Sequence, residues 1–421
     1  VKKEESKSVY RFQTTTGLAV NLIQKPGYHQ FLGALTARFG ALTTEFKIGS
    51  GQKIDIPAGT AHFMEHKVFD KKEGDALVKF TNLGADANAF TGSKQTTYYF
   101  TATSQVEESL SWLLTFVQEP YFDQEKVDRE RGIIEEEINL YQDDPLWQLY
   151  QGILNLLYPG SALSQDIAGS SASLKKISAD LLYQIQSAFY QPKNLQLTVV
   201  GNFKTSDIAA LIEKTEAKVA GSPQTVIVPE EKLSPQVVFD QRKNFPVSVT
   251  KGVYGLRLAE NSPELTDLER VREVLLADLC LDLVFGDQTD WFQDQYAAGI
   301  FGDDFDYEYN SLNQYQYLAL FADGDNQDQV YSVLKARFEE AETVLLQSQD
   351  DFERIQKAVA GQNLASQNVP DRLGLDEDLA LYGLSLFDKM KLITGFCLDD
   401  VVECGHHLFK SGRLTRLVLE K

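Results

Sequence analysis

Two histidines and a glutamate share one five-residue run, His62-Phe63-Met64-Glu65-His66. On an α-helix, side chains four residues apart stack on one face about one turn from each other, so these two imidazoles can hold a single metal ion. That is zinc-ligand spacing, in the reverse order of the commoner H-E-x-x-H. Glu65 lies beside His66 and one turn past His62, where its carboxylate reaches a metal-bound water and takes its proton without being a ligand. A catalytic zinc takes three protein ligands and keeps a fourth position open, so one more ligand must come from elsewhere. The segment Asp123 to Tyr141 reads as a helix and carries Glu125, Glu130, Glu135, Glu136 and Glu137. Glu130 and Glu137 are two turns apart on nearly the same face, beside Ile134, so one can bind metal while the other supports a ligand histidine. Spacing leaves the choice between them open and does not exclude Glu136.

The elements that must position these groups follow from the apolar pattern. Val9 to Gln13 and Leu18 to Ile23, separated by Thr15-Thr16-Gly17, read as a hairpin, and Leu32 to Phe39 as a further strand. Gly49 to Gly59 is a loop rich in Gly and Pro that leads into a helix near Thr60, and a second short helix lies around Gly74 to Leu83. Ala87 to Ala102, with Phe90, Tyr98, Tyr99 and Phe100 among threonines, has strand composition. Helical periodicity marks about 105 to 118, 124 to 142, 145 to 157 and 179 to 189, and Leu195 to Val200 reads as a closing strand. Linker composition around Gly221-Ser222-Pro223 and Ser234-Pro235 divides the chain into residues 1–220, a linker 221–235, and residues 236–421. The second part repeats the order coarsely, with strands near 236 to 258, helices from Leu265 to Phe285, an aromatic strand around Tyr307 to Phe321, helices from Asp328, and a last strand Thr415 to Leu419. An α+β fold duplicated within the chain is the expectation.

Composition narrows the function. At 421 residues the chain exceeds one ordinary core, and its 43% apolar and 24% charged content is that of a globular protein. A formal net charge of -21 sets the whole-protein field against phosphate backbones, which argues against a nucleic-acid partner. Three cysteines, Cys280, Cys397 and Cys404, are too few for a disulfide framework, and no stretch has the apolar length of a membrane span. A soluble cytoplasmic protein without a membrane partner is expected.

Beyond physical spacing, Gly59-Thr60-Ala61-His62-Phe63-Met64-Glu65-His66 resembles the G-T-A-H-F-L-E-H signature of the insulinase/pitrilysin family, the inverzincin peptidases that include the mitochondrial processing peptidases. Arg129-Glu130-Arg131-Gly132-Ile133-Ile134-Glu135-Glu136-Glu137-Ile138 is similar to that family's downstream R-E-R-G-V-I-x-E-E-I helix. By this resemblance Glu137 is the third zinc ligand and Glu130 the supporting carboxylate. Asn88-Ala89-Phe90-Thr91 resembles the family's substrate-binding edge strand, which implies that Asn88, Ala89 and Phe90 pair with an extended peptide and that Asn88 donates to the carbonyl under attack. Asp166-Ile167-Ala168-Gly169-Ser170 and Tyr190-Gln191-Pro192-Lys193-Asn194-Leu195 extend the match over nearly all of residues 9–215. The resemblance implies two structurally similar lobes, each a mainly antiparallel sheet with helices packed on it. It also implies one zinc per chain and cleavage of peptides or short precursors.

The second half departs from that pattern. The family usually supplies an Arg and a Tyr there that grip the substrate, yet Phe292 to Asp303 holds no Arg, and Tyr307 and Tyr309 lie too far along. In some members the zinc motif and the gripping pair reside on different subunits, so a homologous partner forming a heterodimer is expected, with a homodimer as the alternative. Cys404-Gly405-His406-His407 is the remaining metal-like cluster, read as a helix end carrying a buried thiol. The rival functional reading is a non-catalytic assembly subunit of the same fold.

Overall fold

The computed structural model describes residues 4–6, 9–219, 221, 224–259, 265–409 and 413–421. Ser222 and Pro223 of the expected linker, and Val1 to Lys3, Lys7 and Ser8 at the N-terminus, lie outside the described residues. The chain forms two compact units, and neither is continuous in sequence. One comprises 1–138, 166–231 and 366–386, the other 139–165, 232–365 and 387–421.

The first unit is built on a seven-stranded sheet. Its strands are β1 (Glu4–Ser6), β2 (Val9–Gln13), β3 (Ala19–Gln24), β4 (Phe31–Ala37), β5 (Ala85–Thr91), β6 (Thr96–Ala102) and β7 (Leu195–Gly201), ordered β1-β2-β3-β7-β4-β6-β5. Only β3 and β7 run parallel; every other neighbour is antiparallel. The expected strand over Ala87 to Ala102 is therefore two strands, because Gly92 donates to the Gln95 carbonyl and turns the chain. On one face lie α1 (Thr60–Phe69), α2 (Ala76–Asn82), α3 (Val106–Gln118) and α4 (Gln124–Gln142). Phe63 and Met64 of α1, Leu113 and Phe116 of α3, and Ile134 of α4 meet Leu35 and Tyr98 of the sheet in one core. Residues 370–374 and 377–382 return from late in the chain to pack on β4 and β7.

The second unit carries a five-stranded sheet of β8 (Asp240–Asn244), β9 (Lys251–Arg257), β10 (Asp306–Leu312), β11 (Tyr315–Asp323) and β12 (Thr415–Glu420), ordered β8-β12-β9-β11-β10. Its one parallel pair, β8 with β12, sits where β3 and β7 sit in the first unit, and an antiparallel hairpin again ends the sheet. The two lobes thus share one topology. The helix Pro145–Leu157 packs on β9 and β12 of this unit. The aromatic strand expected over Tyr307 to Phe321 is the hairpin β10 and β11. Asn313 supplies the left-handed residue of its tight turn at φ 54°, a conformation that Asn tolerates better than most residues. Among the described residues no helix is long and apolar enough to cross a membrane.

Candidate metal centre

The start of α1 is set by glycines rather than by a side-chain cap. Gly59 precedes the helix at φ 90°, in the left-handed region, and makes no side-chain cap bond. A Cβ on Gly59 would lie 2.5 Å from the Ala168 carbonyl oxygen, and one on Gly169, at φ 83°, would lie 2.5 Å from that of Ala58. Two backbones meet here at a separation only glycine permits. The Asp166 to Ser170 motif thereby braces the helix bearing His62 and His66. Helix α4 buries Val127, Ile134 and Ile138 as a narrow stripe. Glu130 and Glu137 flank that stripe and reach α1.

The side chains converge. One nitrogen each from His62 and His66 and one carboxylate oxygen of Glu137 lie within 4.8 Å of one another. Nε2 of His62 is 3.7 Å from Glu137 Oε1, and Nε2 of His66 is 3.9 Å from Oε2. These separations are too long for hydrogen bonds. They are close to the roughly 3.4 Å edge of a tetrahedron with ~2.1 Å metal–ligand bonds, so the set fits a zinc ion, and two imidazoles with one carboxylate is a known catalytic donor set. Among the described residues, no other group of three or more His, Cys, Asp or Glu side chains is so arranged. Glu136, which spacing alone did not exclude, is not among the converging atoms. His406 lies in the last turn of the helix Leu398–Phe409, 3.6 Å from Glu342.

Glu130 accepts at Oε1 from His66 Nδ1 over 3.1 Å and at Oε2 from Lys67 Nζ over 3.1 Å. Burial pushes the Glu130 carboxyl up, but these bonds outweigh it and hold the group down at about 2. Burial, reinforced by the charge of His66, lowers His62 to about 4, so its imidazole is neutral at neutral pH, as a metal ligand requires. Burial also opposes a charge on His66, yet the bond to Glu130 and the surrounding carboxylates raise it above its ordinary value. Burial raises Glu65 as well, against the hydrogen bond that the Thr91 hydroxyl donates to its Oε2. A carboxylate moved toward neutrality is better matched to general-base work.

Ala85 to Thr91 is the sheet's outermost strand, paired on one side by β6. Alternation along it sends Ala89 and Thr91 to the helix-covered face and Asn88 and Phe90 to the other. Accordingly the Asn88 side chain accepts from the Ala89 amide, on the face away from the histidine cluster. In the second unit, Tyr307 donates to Asp282 and Tyr309 is bonded to Gln316. Two residues that shape this site have no role assigned from the sequence. Thr91 ends the edge-strand motif, and its signal was a hydroxyl at helix-facing parity. Lys67 follows His66, and its signal was a cation on the helix face that elsewhere is apolar.

Known proteins share the sequence and fold of this chain. The insulinase (peptidase family M16) domain model matches residues 36–170 and the peptidase M16 inactive-domain model matches residues 176–359. An uncharacterized zinc protease of Bacillus subtilis, YmfH, is 30% identical over 410 residues, 97% of this chain and 95% of that one. The beta subunit of the human mitochondrial-processing peptidase is 27% identical over 168 residues, 39% of this chain and 34% of its own. A crystal structure of an M16-like peptidase from Alicyclobacillus acidocaldarius has the same fold, with a TM-score of 0.90 at 24% identity and 99% coverage of both chains.

Proposed function

Since the chain belongs to peptidase family M16, the insulinase family, we propose that it is a zinc-dependent endopeptidase acting on peptides or short precursor polypeptides. The observation that carries this reading is the convergence of His62, His66 and Glu137 with a separate half-buried carboxylate, Glu65, beside a ligand. Held by those three residues, zinc would supply Lewis acidity toward a water and a carbonyl oxygen. Glu65 accepts the proton of the attacking water and returns it to the departing amine. Thr91 fixes the Glu65 carboxylate by its hydroxyl. Glu130 keeps the proton of His66 on Nδ1, which leaves the Nε2 lone pair for metal.

The outer side of β5 offers alternate backbone N–H and C=O groups of Asn88, Ala89 and Phe90 to an extended peptide, an antiparallel addition to the sheet. Because strand alternation turns the Asn88 side chain to the face away from α1, we assign Asn88 to backbone pairing rather than to the oxyanion. The absence of an Arg from Phe292 to Asp303 supports a homologous partner subunit that grips the substrate, a heterodimer before a homodimer. The test is hydrolysis of a quenched fluorescent peptide library by zinc-loaded chain, alone and with the candidate partner. Cleavage that Glu65→Gln abolishes supports the peptidase. No cleavage in either state, with zinc bound, supports a non-catalytic assembly subunit.

A further inference from the structure

Lys67 occupies a position where helix geometry calls for an apolar side chain. With Thr60, Met64 and Val68 it lies on the face of α1 that packs into the core, and only 1% of it is exposed. A buried ammonium is costly unless it is paired, and this one is paired twice. Its Nζ donates to Glu130 Oε2 at 3.1 Å and to Asp70 Oδ2, while the other Asp70 oxygen lies 3.8 Å from Lys126 Nζ.

The consequence falls on the opposite oxygen of Glu130. The last torsion of a glutamate is broad and nearly two-fold, so a carboxylate held through one oxygen swings freely. Held by Lys67 at Oε2, the Glu130 carboxylate keeps Oε1 on His66 Nδ1 at 3.1 Å, and the imidazole plane then directs Nε2 toward Glu137. His62 has no such restraint: its Nδ1 is buried without a hydrogen-bond partner among the described residues. Side-chain control over ligand orientation is therefore concentrated on His66.

We propose that Lys67 is a positioning residue of the metal centre, clamping Oε2 of Glu130 so that Oε1 fixes His66 and presents its Nε2 to the metal. The inference rests on the reading of His62, His66 and Glu137 as ligands. Its test is a zinc titration of the full-length, metal-stripped chain against a chromophoric chelator. Wild type is compared with Lys67→Met, Lys67→Arg, Glu130→Gln and the Lys67→Met/Glu130→Gln double variant. Lys67→Met is expected to lose about 10- to 100-fold in zinc affinity, the usual cost of removing outer support from a ligand. Lys67→Arg regains most of it. On the Glu130→Gln background the methionine costs less than about threefold, because the single amide oxygen cannot accept from Lys67 and from His66 at once, so the clamp is already broken.

A merely structural lysine would lower affinity by the same factor in both backgrounds, and that result overturns the proposal. So does a folded Lys67→Met with wild-type affinity. If Lys67→Met does not fold, Asp70 and Glu130 being left without their cation, the Glu130→Gln chain and the double variant decide alone. Equal zinc affinity in those two supports the clamp, and a further tenfold loss overturns it. A wild type that binds no zinc removes the metal reading itself, an outcome distinct from zinc binding that ignores Lys67.

Discussion

Gly59→Ala and Gly132→Ala make the same chemical change about 70 residues apart, and the structure predicts opposite signs. Gly59 sits at φ 90°, where an L-residue costs roughly 1–2 kcal/mol. Its new Cβ would also stand 2.5 Å from the Ala168 oxygen, a backbone atom that moves only with its segment, and overpacking of this kind costs about 1–3 kcal/mol. Together the loss is about 2–5 kcal/mol. Gly132 lies inside α4 with nothing within 4 Å of its Cβ position. Alanine there gains about 1 kcal/mol from helix propensity alone. Urea unfolding of the metal-free chain followed by circular dichroism measures both. Because Gly59 sets the entry to α1, which carries His62 on its first turn, Gly59→Ala should also weaken zinc binding, and Gly132→Ala should not. A Gly59→Ala chain within about 0.5 kcal/mol of wild type would refute the reasoning, as would a larger loss at Gly132.

Other outcomes follow from individual contacts. Glu65→Gln keeps its zinc, measured by metal content, and loses roughly 10²- to 10⁴-fold in turnover on any peptide the wild type cuts. Thr91→Val removes the hydroxyl on Glu65 and should lower kcat about tenfold at unchanged zinc content, the worth of one hydrogen bond to a charged group. In the second lobe, burial lifts the Glu308 carboxyl to about 7. The folded state then holds that proton more tightly than the unfolded chain does, so this group's contribution is best below the ordinary carboxylate value and is lost as pH rises toward 7. Glu308→Gln should accordingly gain stability over wild type between pH 5 and pH 8 by about 1–3 kcal/mol, read from urea midpoints at the two pH values. A gain that is the same at both would contradict the assignment.

Much of the scaffold was legible because its signals are local. Helical periodicity placed the helices Val106–Gln118, Gln124–Gln142, Pro145–Leu157 and Ala179–Phe189 within a residue or two of where they stand. Tight turns were harder: a continuous aromatic and threonine composition hid the hairpins at Gly92 to Gln95 and at Asn313, since both flanking strands favour the same residues. Which helix joins which unit was not legible at all. Pro145–Leu157 and residues 366–386 are assigned by tertiary contact, which leaves no trace in periodicity. At the centre, spacing gave His62 and His66 but could not rank Glu130, Glu136 and Glu137, because a helix offers several carboxylates within reach and only the partner helix selects among them. Lys67 and the Gly59 to Gly169 contact depend on what packs opposite, and a single sequence does not record that.

On the proposed function, His62, His66 and Glu137 hold one zinc ion that serves peptide hydrolysis. Plasma mass spectrometry of metal-replete wild type and His66→Ala, alongside hydrolysis of a peptide library by the wild type, tests it most directly. One zinc per chain, lost in His66→Ala, together with peptide cleavage by the wild type, is the predicted result. A metal-replete wild type without zinc, or a His66→Ala chain that keeps it, would contradict the account.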